Sequence, residues 1–356
     1  MSQIAKHSSP THWKWLQSLR GGAALAVFIF HGWLFFKFNV SLTTRAFDTL
    51  FFDFFDLGKV AVGIFFLISG YLLPYSLKNK SKTEFVKNRF FRLYPPYWFS
   101  ILLSVILVGG FSLTQILGNI TMLQLFLRIK DMVGAFWTLP IELLLYVGCL
   151  IFHKYLFDKK KVVWGFVALL VFTLIVAIVR FYMETKIPVA IFLLLAISVL
   201  GYLIRLYKEK IVMNFIELFR YILLFILFLI PISLLAYNKD LGFGEVWYRY
   251  LNTYIASIVI FYFFMNQNLS NKILNYLGKI SYSLYLTHGV VILFFQKQIS
   301  FFLTLNIFAT LALFIILTLL IAIFTYYIVE EPSFSSYKKY SQNRKRQHAQ
   351  IDNNSR

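Results

Sequence analysis

The chain has 356 residues, of which 59% are apolar, 20% aromatic and only 14% charged, with a mean hydropathy of +0.71. Soluble domains are about half apolar and a quarter charged, so this chain has too little polar surface to cover a globule in water; disorder, a collagen-like repeat and a disulfide scaffold are excluded too. The net charge of +20 would suit nucleic acid in a polar chain, but here it reads as the cationic bias of cytoplasmic loops, and no nucleic-acid partner is expected.

A helix needs about 20 apolar residues to cross the hydrocarbon. Ten stretches reach that length: roughly 15–37, 57–77, 97–118, 134–153, 162–181, 187–205, 214–237, 247–266, 275–297 and 301–329. The expected fold is an all-α integral membrane protein, a bundle of about ten transmembrane helices. The stretch 112–127 is also apolar and reads as interfacial or re-entrant. The first span is long and lacks a small-residue cleavage site, unlike a signal peptide.

Cations set the direction. With the N-terminus inside, the inner segments carry Lys78, Lys80, Lys82, Lys87, Arg89 and Arg92, then Lys154, Lys159, Lys160 and Lys161. They also carry Arg205, Lys208, Lys210 and Lys272, and the tail holds Lys338, Lys339, Arg344, Lys345 and Arg346. The opposite segments hold Asp48, Asp53, Asp56, Asp131, Asp240 and Glu245. Both termini are therefore expected in the cytoplasm. The organisation is a cytoplasmic tail over 1–14, a polytopic membrane domain over 15–332, and a basic, flexible cytoplasmic tail over 333–356.

Ionisable groups inside spans are costly, and each is a functional candidate. On the first span Arg20 and His31 stand eleven residues apart. At about 100° per residue this is three turns plus about 20°, so both lie on one stripe about 16 Å apart. Gly22, Ala23 and Ala24 beside it allow close approach of a helix or a thin substrate. The bland alternative is an arginine reaching head groups and a histidine bonded to a neighbouring helix. In the second span, Ser69 and Gly70 allow local unwinding, although packing explains them as well.

Arg89 and Arg92, three apart before Tyr94 and Pro95, form one basic face on a helix, able to grip phosphates or to touch anionic lipid. The fourth span opens Phe136-Trp137-Thr138-Leu139-Pro140-Ile141-Glu142. Pro140 fits a first helical turn and makes Glu142 either a capping acid or a deep partner for His31. In the ninth span Ser281, Tyr285 and His288 recur at i, i+4 and i+7, a polar stripe for chemistry or for inter-helix bonding. The last helix ends Glu330-Glu331-Pro332, readable as an acidic end stopped by proline. Six scattered histidines and one thiol, Cys149, give no metal-ligand spacing, so no metal is expected.

These motifs, in this order, resemble the membrane-bound acyltransferase family 3. The resemblance rests on Arg20 and His31 with ten residues between, Gly63-Ile64-Phe65-Phe66-Leu67-Ile68-Ser69-Gly70-Tyr71, and Arg89, Arg92, Tyr94 and Pro95. It continues with Phe136-Trp137-Thr138-Leu139 and Glu142, the run Leu277 to His288, and Glu331-Pro332. It covers residues 19 to 332. Thr287 departs from the family, which more often has Trp there. Nothing beyond 332 resembles the periplasmic esterase-like domain fused to some members, so a second transfer step outside is expected either to need a separate protein or not to occur.

The resemblance implies a multi-pass protein of the bacterial inner membrane, moving an acyl group, most often acetyl, from cytoplasmic acetyl-CoA to a hydroxyl of a cell-surface polysaccharide or its lipid-linked precursor. Acceptors in the family include O-antigen, capsule and exopolysaccharide sugars. The expected partners are the lipid bilayer, that glycan and other polysaccharide assembly proteins. On this reading Arg20, Arg89 and Arg92 hold the phosphates of coenzyme A. His31 is the base or a covalent acyl carrier, with Glu142 orienting it or acting as base itself. Ser281, Tyr285, His288, Trp137 and Ser69 are candidates for the substrate or the oxyanion. A glycan or lipid transporter, and a polytopic scaffold, are the competing readings.

Overall fold

The computed structural model describes residues 14–40, 45–78, 81–209, 213–241 and 244–354. The N-terminal tail up to residue 13, Lys80 and Lys210, and the side chains of Arg344, Lys345 and Arg346 lie outside the described residues.

In chain order, α1 (Lys14–Val40) leads through a short α2 (Arg45–Asp48) and a π-helical turn (Thr49–Phe54) to α3 (Leu57–Lys78) and α4 (Lys82–Leu107). A short α5 (Leu113–Ile120) and a 3-10 turn (Gly134–Thr138) precede α6 (Leu139–Ile151). Next come α7 (Lys159–Met183), α8 (Val189–Lys208), α9 (Phe215–Ala236) and α10 (Trp247–Gln267). The chain closes with α11 (Lys272–Lys279), α12 (Ser281–Lys297), α13 (Ile299–Phe302), α14 (Ile307–Thr325), a π-helical stretch (Tyr326–Glu330) and α15 (Glu331–Asn354). No strand occurs among the described residues.

Among the described residues eight helices are long and apolar enough to cross a membrane, and the pair α11–α12, broken at Ile280, makes a ninth. The remaining expected span, the eighth at 247–266, is a continuous helix of 21 residues, α10. Its tyrosines together with Arg249, Asn252 and Thr253 leave it less apolar than the others.

Three boundaries differ from the sequence reading, each for a local reason. The third span, expected over 97–118, is α4, which starts fifteen residues earlier at Lys82 because Ser81 caps it, its Oγ accepting from the Glu84 N–H at 3.1 Å. The helix survives its internal Pro95 because the Phe91 carbonyl, which loses its usual donor, accepts from Ser333 Oγ at 3.0 Å. It ends where Gly109 and Gly110 take φ of +66° and +75°, a left-handed turn that glycine adopts without a Cβ clash. Second, Pro332 does not stop the last helix. The π-helical stretch just before it loosens the turn, and the tail expected to be flexible continues as α15. Third, α3 runs unbroken through Ser69-Gly70 rather than unwinding.

The chain divides into two compact units, residues 1–78 with 141–281 and residues 79–140 with 282–356. In the first, α3 and α8 interlock: a Cβ on Gly70 would stand 1.7 Å from the Ser198 carbonyl oxygen, and one on Gly201 2.2 Å from that of Leu67. Lipid tails give apolar helices no hydrophobic reason to associate, so such backbone-to-backbone approach supplies dispersion instead. Helix α1 meets α11 the same way, with Gly21 against Leu274 and Gly278 against Gln17. In the second unit α4 is the hub. Tyr94, Trp98 and the buried Tyr97 donate to the carbonyls of Thr121, Ile120 and Asn119, fastening the C-terminal end of α5 to it.

Candidate functional site

The expected site residues divide between the units: Arg20, His31, Ser69, Glu142 and Ser281 fall in the first, Arg89, Arg92, Trp137, Tyr285 and His288 in the second.

In the first unit, α1 is continuous from Lys14, so Arg20 and His31 do share one helix and one stripe, both half-buried. Ala24 and Val27 between them are buried, as is Ala23, so these residues serve helix packing, while Gly22 faces open space. The His31 ring bonds to the backbone of Val27, one turn back. A neutral imidazole has one donor and one acceptor nitrogen, so a ring donating to that carbonyl carries its basic lone pair on the other nitrogen. Within electrostatic range of His31 stand Asp56 and Lys59, at the start of α3.

Glu142 lies in the first turn of α6, as its position after Pro140 predicts, and accepts a hydrogen bond from Tyr146 Oη one turn on. Ser69 is half-buried on α3. Ser281, at the break between α11 and α12, is 1% exposed, and its Oγ has no hydrogen-bond partner among the described residues.

In the second unit, Arg89 and Arg92 occupy one side of α4, three residues apart and half-buried. The Arg89 guanidinium lies over the Phe85 ring, 5.2 Å from its centroid, and Arg92 is within electrostatic range of Tyr326. Tyr285 is tied to the turn carrying Trp137: its Oη donates to the Ala135 carbonyl at 2.7 Å. The Thr138 hydroxyl lies 2.7 Å from the same oxygen and completes the pair as donor. His288 is 1% exposed, its Nδ1 3.1 Å from the Leu284 carbonyl and its ring 5.8 Å from that of Tyr285. Thr287, where the family more often has Trp, bonds back to the Ser283 carbonyl at 2.8 Å.

Sequence reasoning missed two partnerships. Ser283 lies off the 281–285–288 stripe, yet its Oγ donates to Glu330 Oε2 at 2.6 Å, both groups buried. Glu330 had looked like the acidic end of a helix; pairing with Ser283 makes it part of the core. Asp56 had been counted as an outer-loop charge, and it is buried. The signal available was its place three residues before Lys59, the spacing of an N-terminal cap and of an ion pair at once.

A family model described as an acyltransferase domain matches residues 13–328, from the first turn of α1 to the π-helical stretch after α14. The chain belongs to acyltransferase family 3. Every site residue expected from the sequence lies inside that span, and Glu330 lies two residues beyond it. Among curated proteins, Acyltransferase MdmB of Streptomyces mycarofaciens is 27% identical over 146 residues, covering 37% of this chain and 37% of that protein. The chain thus matches little more than a third of that relative's length. No solved structure matches it significantly. Together with its helices, membership in acyltransferase family 3 makes the chain a multi-pass membrane protein.

Proposed function

We propose that the protein is a membrane O-acyltransferase that takes an acyl group, acetyl in the first instance, from cytoplasmic acyl-CoA. The acceptor is a hydroxyl of a cell-surface polysaccharide or of its lipid-linked precursor, in the bacterial inner membrane. The observation that carries this reading is α1 itself: within a family match spanning residues 13–328, one unbroken helix bears Arg20 and a histidine tethered to the carbonyl one turn back. A transporter has no need of that pairing.

The acceptor hydroxyl oxygen attacks the thioester carbonyl while His31 takes its proton. The tetrahedral oxyanion then collapses, the C–S bond breaks, and the coenzyme A thiolate leaves, recovering the proton from the imidazolium. Arg20, Arg89 and Arg92 bind the donor's phosphates, where guanidinium forks match phosphate oxygens better than ammonium groups do. Both termini lie in the cytoplasm, on the donor's side. Ser281, whose hydroxyl has no partner among the described residues, and Tyr285 and His288 are the candidates for substrate and oxyanion contacts, with Trp137 and Ser69. The cation formed on His31 calls for an acid; Glu142 is the one the sequence put forward.

Purified protein in detergent is given labelled acetyl-CoA, with water and a methyl glycoside as hydroxyl probes, and release of coenzyme A is followed for the wild type and His31→Ala. Binding with His31-dependent release is the expected result. A folded protein that binds no acetyl-CoA would move the reading to glycan or lipid transport.

A further inference from the structure

Asp56 stands just before α3, 7% exposed, and three contacts fix it. Its backbone N–H donates to Thr253 Oγ1 on α10 at 3.1 Å, Oδ1 accepts from the Lys59 backbone N–H at 2.8 Å, and Oδ2 takes the Lys59 ammonium at 2.5 Å. Helix α1 passes directly over this point. The place a Cβ would occupy on Gly58 is 2.7 Å from Phe30 Cδ1 and 3.4 Å from Asp56 Oδ1. Phe30 of α1 therefore packs at Gly58 beside the carboxylate, and the His31 ring, 5.4 Å from that of Phe30, stands within electrostatic range of Asp56.

Behind the pair runs a layered support. The Lys59 ammonium sits 4.8 Å above the Tyr250 ring, and Tyr250 stacks on Tyr237 at 3.6 Å and 6°. The Arg180 guanidinium caps the other side, 5.1 Å from the Tyr237 ring, and is paired with Glu245 at 2.5 Å. Two cations thus bracket two stacked rings, and each cation has its own acid.

Capping α3 does not explain a charge in this place. Asn or Ser caps a helix as well as Asp, and an isolated buried ion pair often costs more in desolvation than its attraction returns. What Asp has and Asn lacks is a full negative charge, and the ionisable group that α1 delivers to it is His31.

We propose that Asp56 is the positioning residue that orients His31 and stabilises the imidazolium formed during transfer, with Lys59 and the Tyr250–Tyr237–Arg180 stack holding the carboxylate in place. This rests on His31 being the base, as argued above, and assigns to Asp56 the part expected of Glu142.

The test uses the full chain in detergent, reading coenzyme A release from acetyl-CoA with water and a methyl glycoside as probes, beside thermal unfolding of each variant. Asp56→Asn should lower kcat about 100-fold, the range in which acid–base groups act, with KM for acetyl-CoA changed less than about twofold. Asp56→Glu should recover part of the loss. Adding Lys59→Met to Asp56→Asn should restore folding stability without restoring kcat. Full kcat in that charge-balanced double variant would show that Asp56 only neutralises Lys59 and would overturn the proposal, as would an unchanged kcat in Asp56→Asn. If Asp56→Asn does not fold, Asp56→Glu and the double variant carry the same decision. An active His31→Ala enzyme sinks the underlying reading instead; an inactive His31→Ala with a fully active Asp56→Asn sinks this proposal alone.

Discussion

His31 and His288 are held alike, each ring against a backbone carbonyl one turn back, Val27 for the first and Leu284 for the second. Their surroundings differ. His31 is half-buried and has a carboxylate and an ammonium beside it from the start of α3. His288 is enclosed on α12 next to a tyrosine whose hydroxyl is already committed to Ala135 and Thr138. The lesson is that the tether makes a histidine directional, while its neighbours decide whether it can change charge. A proton can be taken up where an anion waits to receive the cation; a ring packed as tightly as that of His288 is suited to holding one hydrogen-bonding pattern.

The largest test of this contrast is the pair of alanine variants. His31→Ala should cut acetyl-CoA turnover by about 10²–10⁴-fold with the unfolding temperature nearly unchanged. His288→Ala should destabilise by about 1–3 kcal/mol for an opened buried contact and lower turnover by less than His31→Ala does, as expected of a substrate or oxyanion contact rather than the base. Equal kinetic losses with equal stability would erase the distinction.

Next in size are the arginines. Arg89→Ala or Arg92→Ala should raise KM for acetyl-CoA about tenfold or more, the scale of a lost charged hydrogen bond, and leave kcat within a few-fold. An unchanged donor KM would leave that face to anionic lipid.

Tyr285→Phe sharpens the account of the second unit. It removes a hydroxyl that serves two partners 2.7 Å away, so unfolding should come earlier by about 1–3 kcal/mol. A neutral effect would mean that the turn carrying Trp137 is not held by Tyr285.

The smallest effect is expected at Asp131, outside the spans. Burial pushes its carboxyl above the usual range, and the Gln124 amide donating to it at 2.8 Å opposes this only in part. A raised carboxyl binds its proton more readily folded than unfolded, so its contribution is fullest below the unfolded pKa and is lost as pH rises through the folded one. Asp131→Asn should therefore be slightly stabilising at neutral pH and lose that advantage in acid, seen as a crossing of the two melting-temperature curves.

Much of this was legible in the primary structure, and the exceptions have identifiable causes. The stripe of Arg20 and His31 follows from helical periodicity alone, because nothing interrupts α1 between them. The place of Glu142 follows from Pro140, which fits a first turn. The α4 boundary was misplaced because hydropathy sees only the apolar half of a helix whose other half, Lys82 to Tyr94, is polar. The continuation past Pro332 was hidden because a π-helical turn leaves no mark in composition. Ser283 was passed over because it lies off the stripe; its partner, Glu330, is 47 residues away.

Composition and spacing, then, determined the solvent, the helical class and the family, since a lipid environment forces every spanning segment to satisfy its own backbone and family motifs are strings. What only tertiary structure decided is which charges meet. The sequence puts Glu142 forward as the acid for His31 and leaves Asp56 among the charges of the opposite segments. The packing of Phe30 over Gly58 brings α1 to Asp56, while Glu142 takes a hydrogen bond from Tyr146. Such choices depend on where helices cross, and crossing points are set by contacts between residues far apart in the chain.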